Sequence, residues 1–177
     1  KLLPRLETAW VGVGTRLTFD PVVPPRGRAI RMLTLSRLVS KKRIDMAIDA
    51  AALLRSQGLD VELVIAGEGS QEFESDLRAQ VGHLGLSDSV QFVGPVGGPA
   101  KERLFTEADV FLLPSEDENF GIGVAEAAAA GVPIVASRNV AAATLIDGEG
   151  VVVLQSMQVA ALANGVKTLA LPPLTLP

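Results

Sequence analysis

Six short apolar runs punctuate the chain at near-regular intervals: Ile30–Ser36, Val61–Gly67, Ser89–Val93, Asp109–Pro114, Val132–Ser137 and Gly150–Leu154. Each has the length of a strand, and several are almost continuously apolar, as expected of strands covered on both faces. The intervening segments change period. Ile44–Gly58 places Ile44, Ala47, Ile48, Ala51, Ala52 and Leu54 on one broad helical face, with Gly58 as its C-cap. Ser70–Gly85 repeats Phe73, Leu77, Val81 and Leu84 at three to four, with Ser70 as N-cap. Shorter helices are predicted over Ala100–Ala108, Ile122–Gly131 and part of Asn139–Glu149, and a longer one over Ser156–Leu171. Gly131 then acts as a C-cap and Pro133 forbids continuation. Strand and helix thus alternate along the chain. The pattern predicts a doubly wound, Rossmann-like α/β domain with a parallel sheet of about six strands and right-handed crossovers.

In such a sheet, ligands bind beyond the carboxyl ends of the strands. The loops there are Arg37–Arg43, Gly67–Gly69, Gly94–Gly98, Ser115–Gly123, Ser137–Thr144 and Leu154–Ser156. The unusual chemistry of the sequence falls in this set. Arg37, Lys41, Lys42 and Arg43 follow the first strand. An Arg fork and a mobile Lys charge suit a diphosphate, and a solvated basic loop is the plain alternative. Gly67-Glu68-Gly69 follows the second strand and lacks the third glycine of a dinucleotide fingerprint. Pro114–Gly131 joins two strands through four acidic or amide residues, two glycines and an Ala-rich helix. It holds Glu118 and Glu126, eight positions apart. Carboxylates accept paired sugar hydroxyls well, and the helix start around Gly121–Gly123 offers free amides to an anion. Together these groups describe a nucleotide-sugar site. Asp109 reads as a turn or cap residue, Trp10 as packing, and His83 as a solvated residue near a helix end.

Composition narrows the classes. The chain has 177 residues, 48% apolar and 20% charged, enough for one domain with a sizeable core. It has no Cys, which excludes disulfides and thiol chemistry. Tyr is absent and aromatics are 4%, which argues against a stacking surface for single-stranded nucleic acid. The net charge of -4 conceals ten Lys/Arg against two Asp/Glu in residues 1–43. Nucleic-acid binding through that segment would need these charges on one surface, and no DNA-reading motif accompanies them. No apolar run approaches the roughly 20 residues of a membrane span. Residues 1–29 are turn-rich and read as a linker or incoming segment, 30–171 as the domain, and 172–177 as a tail.

The residues resemble the C-terminal domain of retaining glycosyltransferases of the GT-B fold, family 4, over about Ile30–Leu154. PSEDENFGIGVAEAAAAGVPIVAS is similar to that family's E-x7-E region, and SRLVSKK to its phosphate-binding loop. The resemblance implies that Arg37 and Lys42 bind the donor diphosphate and stabilise the leaving group. It implies that Glu126 takes the ribose hydroxyls and that Glu118 lies by the transferred sugar, with the amides of Asn119, Phe120 and Gly121. Gly67 and Gly69 would be its glycine turn, and Val93 would stand by the nucleobase. It implies no metal and no cofactor beyond the nucleotide-sugar donor. It also implies a missing N-terminal domain that supplies the acceptor side. The implied location is cytoplasmic, with the cytoplasmic face of a membrane as the alternative for a longer enzyme. Two departures stand out. Arg43 replaces a usual glycine, which predicts a differently shaped loop, and Thr144 stands near a usual acidic position. The rival readings are a non-hydrolysing sugar-nucleotide epimerase, which should place a His by the nucleotide, and a non-enzymatic nucleotide-binding module.

Overall fold

The computed structural model describes residues 10–11, 15–16, 28–146 and 150–171. The expected tail therefore lies outside the described residues, as does most of the expected linker. Within that linker segment Trp10–Val11 (β1) and Thr15–Arg16 (β2) pair antiparallel. The main sheet comprises β3 (Ile30–Leu35), β4 (Val61–Ala66), β5 (Val90–Gly94), β6 (Val110–Leu113), β7 (Ile134–Ser137) and β8 (Val151–Leu154). All its pairings are parallel, in the order β5-β4-β3-β6-β7-β8. The chain winds outward from β3 to one edge, returns, and winds outward from β6 to the other. The order reverses between β3 and β6, so the crevice for a ligand opens beyond their carboxyl ends.

Alternation along the strands divides the core in two. Met32, Leu63, Ile65, Val110, Leu112 and Val135 face one layer, formed with α1 (Ile44–Ser56), α2 (Gln71–His83) and α6 (Val159–Ala170). Leu33, Ala66, Phe111, Leu113, Ile134 and Ala136 face the other, formed with α3 (Gly98–Glu107), α4 (Ile122–Ala129) and α5 (Ala141–Leu145). Period two in the strands thus meets period 3.6 in the helices on both faces.

The caps follow the sequence. Ser70 Oγ accepts from Phe73 N at 3.2 Å, and Gly58 and Gly131 follow their helices in left-handed backbone. The third helix starts two residues earlier than its apolar pattern, because Pro99 fits the first turn of a helix. Besides β1 and β2, a third short element is absent from the periodic reading. Ser40–Lys42 forms a turn of 3-10 helix, closed by Lys42 N to Val39 O at 2.9 Å and Arg43 N to Ser40 O at 3.0 Å. So short a turn carries no hydrophobic repeat.

Asp109 is more than a turn residue. Its side chain is 1% exposed. It accepts from Arg31 N at 2.8 Å and from Arg28 Nη2 at 2.5 Å, tying the amino-terminal ends of β3 and β6 together.

Candidate functional site

The loop after β3 and the loop after β6 flank the switch point, and they meet there charge for charge. Lys41 Nζ pairs with Asp117 at 2.9 Å, and Arg43 Nη1 with Glu116 at 2.7 Å. Between them the Lys42 ammonium pairs with the Glu118 carboxylate. Three consecutive cations of one loop thus engage three consecutive acids of the other. A backbone bond from Glu116 N to Lys41 O at 2.8 Å fixes the register. Behind the acidic loop, Asn139 Nδ2 donates to Glu116 O at 2.7 Å and Ser137 Oγ to Ser115 O at 2.5 Å. The central pair is also the most buried, with side chains 8% and 17% exposed. The outer pairs reach solvent and stabilise little by themselves. The guanidinium and ammonium next to the acids act in the ordinary direction. The Lys41 hydrogen bond and charge hold Asp117 below its usual value of 3.8, and the Asp45 and Glu116 carboxylates raise Arg43.

Arg43 stands in a backbone conformation that favours glycine. Its backbone lies at φ 53, ψ 44, in the left-handed region where a glycine sits without cost. It is the one non-glycine residue with positive φ among the described residues. The arginine therefore keeps the turn a glycine would make, and adds a side chain to it. That conformation costs about 1–2 kcal/mol in an L-residue. The guanidinium grips Asp45, with Nε to Oδ1 at 3.1 Å and Nη2 to Oδ2 at 3.0 Å, as well as Glu116. Partly exposed pairs return roughly 0.2–1 kcal/mol each. The two terms nearly cancel, so global stability does not explain Arg43.

The glycines of the β4 loop act through close approach. A Cβ on Gly67 would lie 1.8 Å from Ser36 O, and one on Gly69 would lie 2.1 Å from Leu38 O. Only glycine lets this loop lie against the β3 loop, where Leu38 N bonds Glu68 O at 2.8 Å. Gly67 N in turn bonds Gly94 O at 2.8 Å, next to Val93 on the edge strand β5. Arg37 projects from the same β3 loop. It is exposed, and it has no ion pair or side-chain hydrogen bond among the described residues.

Gly121 N-caps α4 at φ 90, and a Cβ there would lie 2.4 Å from Val140 Cγ1. Val124 N and Ala125 N bond to Gly121 O at 2.9 and 3.3 Å, so the first free amides of the helix are those of Ile122 and Gly123. Asn119 is exposed and Phe120 half-buried, with Phe120 O accepting from Ala142 N at 2.8 Å. Lys42, Glu118 and the start of α4 are thus brought together. Glu126 is not part of that cluster. It lies one turn into α4 and pairs with Lys101 of α3 at 2.5 Å, lining a cavity of about 430 Å³ with Phe105, Thr106 and Ala129. Lys101 had no signal in the sequence, because its partner is set by how α3 packs on α4. Thr144 is exposed and bonds back into its own helix, Oγ1 donating to Ala141 O at 2.8 Å. His83 is exposed at the end of α2. That helix descends from the carboxyl end of β4, so His83 lies at the opposite end of the sheet from the clustered loops, against the epimerase reading. Among the described residues of the basic segment 1–43, the cations divide between the two ends of β3. Arg28 and Arg31 pair at the amino-terminal end of β3, and Lys41–Arg43 beyond its carboxyl end.

Among the described residues no group of three or more His, Cys, Asp or Glu is placed to hold a metal ion. No helix among them is long and apolar enough to cross a membrane.

Comparison with known proteins bears on the family and the fold. The profile of the family described as "Glycosyl transferases group 1" matches residues 18–173. A D-inositol 3-phosphate glycosyltransferase of Arthrobacter sp. (strain FB24) is 35% identical over 136 residues, 71% of this chain and 32% of the relative. A GDP-mannose-dependent alpha-(1-6)-phosphatidylinositol dimannoside mannosyltransferase of Mycobacterium tuberculosis is 36% identical over 121 residues, 68% of this chain and 30% of the relative. The chain therefore spans about a third of the length of the curated relatives it matches. Among solved structures, Anabaena Alr3699/HepE in complex with UDP-glucose superposes with a TM-score of 0.70 at 27% identity, covering 80% of this chain and 39% of that one.

Proposed function

Because this chain belongs to the glycosyl transferases group 1 family, we propose that it is the donor-binding domain of a retaining, metal-independent glycosyltransferase of the GT-B fold. The observation that carries the reading is the meeting of Lys42 and Glu118 at the switch point, beside the free amides of α4. The relative crystallised with UDP-glucose, at 27% identity, supports a nucleotide-sugar as the ligand.

In this reading Arg37 and Lys42 bind the donor diphosphate, with the start of α4 adding its amides. Glu126 receives the ribose hydroxyls once Lys101 yields its carboxylate oxygen. Glu118 faces the transferred sugar with the amides of Asn119, Phe120 and Gly121. Gly67 and Gly69 let the β4 loop close on the nucleotide side, and Val93 lies towards the base. The bond between the anomeric carbon and the diphosphate oxygen breaks, and its electron pair leaves on the diphosphate. An acceptor hydroxyl oxygen bonds the anomeric carbon in its place with retained configuration, and its proton passes to the departing diphosphate oxygen. Positive charge at Lys42 and Arg37 stabilises the leaving group, the main electrostatic demand of the step. A further domain supplies the acceptor side, in keeping with the third of its relatives' length that this chain spans.

Titration calorimetry with UDP, GDP and ADP tests this directly. One of the three should bind. Arg37→Ala and Lys42→Ala should each weaken it roughly ten- to hundredfold, the loss of a charged hydrogen bond worth about 1.5–3 kcal/mol. Glu126→Ala should abolish the preference for a ribose over a 2′-deoxyribose nucleotide. A folded chain that binds none of the three at millimolar concentration removes the reading.

A further inference from the structure

Lys42 and Glu118 come from segments 76 residues apart. Their meeting depends on the register between two loops joined by one backbone bond, Glu116 N to Lys41 O, and by the exposed Lys41–Asp117 and half-buried Arg43–Glu116 ion pairs on either side. Arg43 reaches both sides of that junction. Its guanidinium holds Asp45 in the first turn of α1 with Nε and Nη2, and Glu116 in the acidic loop with Nη1. It does so from a left-handed backbone that a glycine would occupy without strain. A strained residue that persists at a cluster of charged groups has a role in that cluster. The role is not contact with a ligand, since both edges of the guanidinium are already engaged by carboxylates.

We propose that Arg43 is a positioning residue: it clamps the Glu116–Glu118 loop against the Ser40–Lys42 turn, and so sets where Lys42 and Glu118 stand. The effect on nucleotide affinity rests on the donor-site reading; the effect on the loops does not. Arg43→Gly keeps the backbone and deletes the clamp. Glu116→Gln removes the charge of its partner from the other side.

The experiment combines three measurements on the parent, Arg43→Gly, Glu116→Gln and the double variant. Arg43→Gly should leave Tm equal to or above that of the parent, because the strain is released. Amide exchange should nevertheless accelerate across residues 115–121, with Glu116 N the most affected. The Kd for UDP or GDP should rise roughly three- to tenfold in each single variant, and no further in the double variant, the sign of one shared interaction. Unchanged exchange in Arg43→Gly overturns the proposal. So does a double variant whose losses add, since Arg43 would then bind the nucleotide itself. A parent that binds neither nucleotide refutes the donor-site reading instead, and the exchange measurement still decides the clamp.

Discussion

Asp109 shows how a single carboxylate holds the sheet at the end away from the site. It is buried, and it joins Arg28 to the backbone of Arg31. Asp109→Ala leaves a strand amide without its acceptor and a guanidinium without its partner. Arg28 is 38% exposed and recovers water, so the cost falls below that of a fully buried ion pair. The expected loss is about 2–3 kcal/mol, read from the shift of a urea midpoint at unchanged slope. Asp109→Asn keeps an acceptor for Arg31 N and should lose less. Equal losses in the two variants would mean that the charge, and not the bond to β3, carries the effect. This residue also marks a limit of sequence reading. A charge at the start of an apolar strand looks like a cap, and its distant partners, Arg28 and Arg31, are fixed only when β3 and β6 pair.

At the scale of elements, the fold was legible and its joints were less so. Six apolar runs became six strands, because burial on both faces leaves a near-continuous apolar signature. The charged groups of the site were legible as types in loops, since the topology sends those loops to one rim. Their pairing was not. Nothing in the sequence matches Lys41 to Asp117, Lys42 to Glu118 and Arg43 to Glu116, because the match depends on the register of two loops. Lys101 escaped for the same reason, being 25 residues from Glu126 on another helix. The start of α4 was legible through Gly121, whose reason is now physical. Gly121→Ala meets two penalties: left-handed backbone at φ 90, and a Cβ 2.4 Å from Val140 Cγ1. Together they should cost roughly 2–4 kcal/mol. Gly58→Ala is the control. It shares the positive φ of 82 but finds nothing within 4 Å, so it should lose only about 1 kcal/mol. Urea denaturation of the pair separates backbone strain from collision. Equal losses would show that Val140 simply moves aside.

Across the whole molecule, the two windings of the sheet share one seam. β3 pairs with β4 through six residue positions from Ile30 to Leu35, but with β6 only through Met32 and Leu33. Beyond Leu33 the seam opens towards its carboxyl end. Gly123 of α4 fits there, where a Cβ would lie 3.3 Å from Leu35 O. The crevice is therefore bridged by side chains rather than by strand pairing, and those side chains are charged. Such a closure responds to pH. Asp117 is held below its usual 3.8, first by its hydrogen bond to Lys41 and then by the charges of Lys41 and Lys42. A carboxylate with a lowered value in the folded state contributes its pairing fully above the unfolded value. That contribution is lost as pH falls through the lowered one. The Lys41–Asp117 link should accordingly survive mild acid and open only below the ordinary aspartate range. Asp117 is largely exposed to solvent, so the effect is local, and carboxyl NMR titration is the measurement that sees it. The Asp117 midpoint should lie below 3.8 in the parent and move upward in Lys41→Gln. The same midpoint in both proteins would show that Lys41 does not hold the loop, and would leave Lys42 and Arg43 as the bridges across the seam.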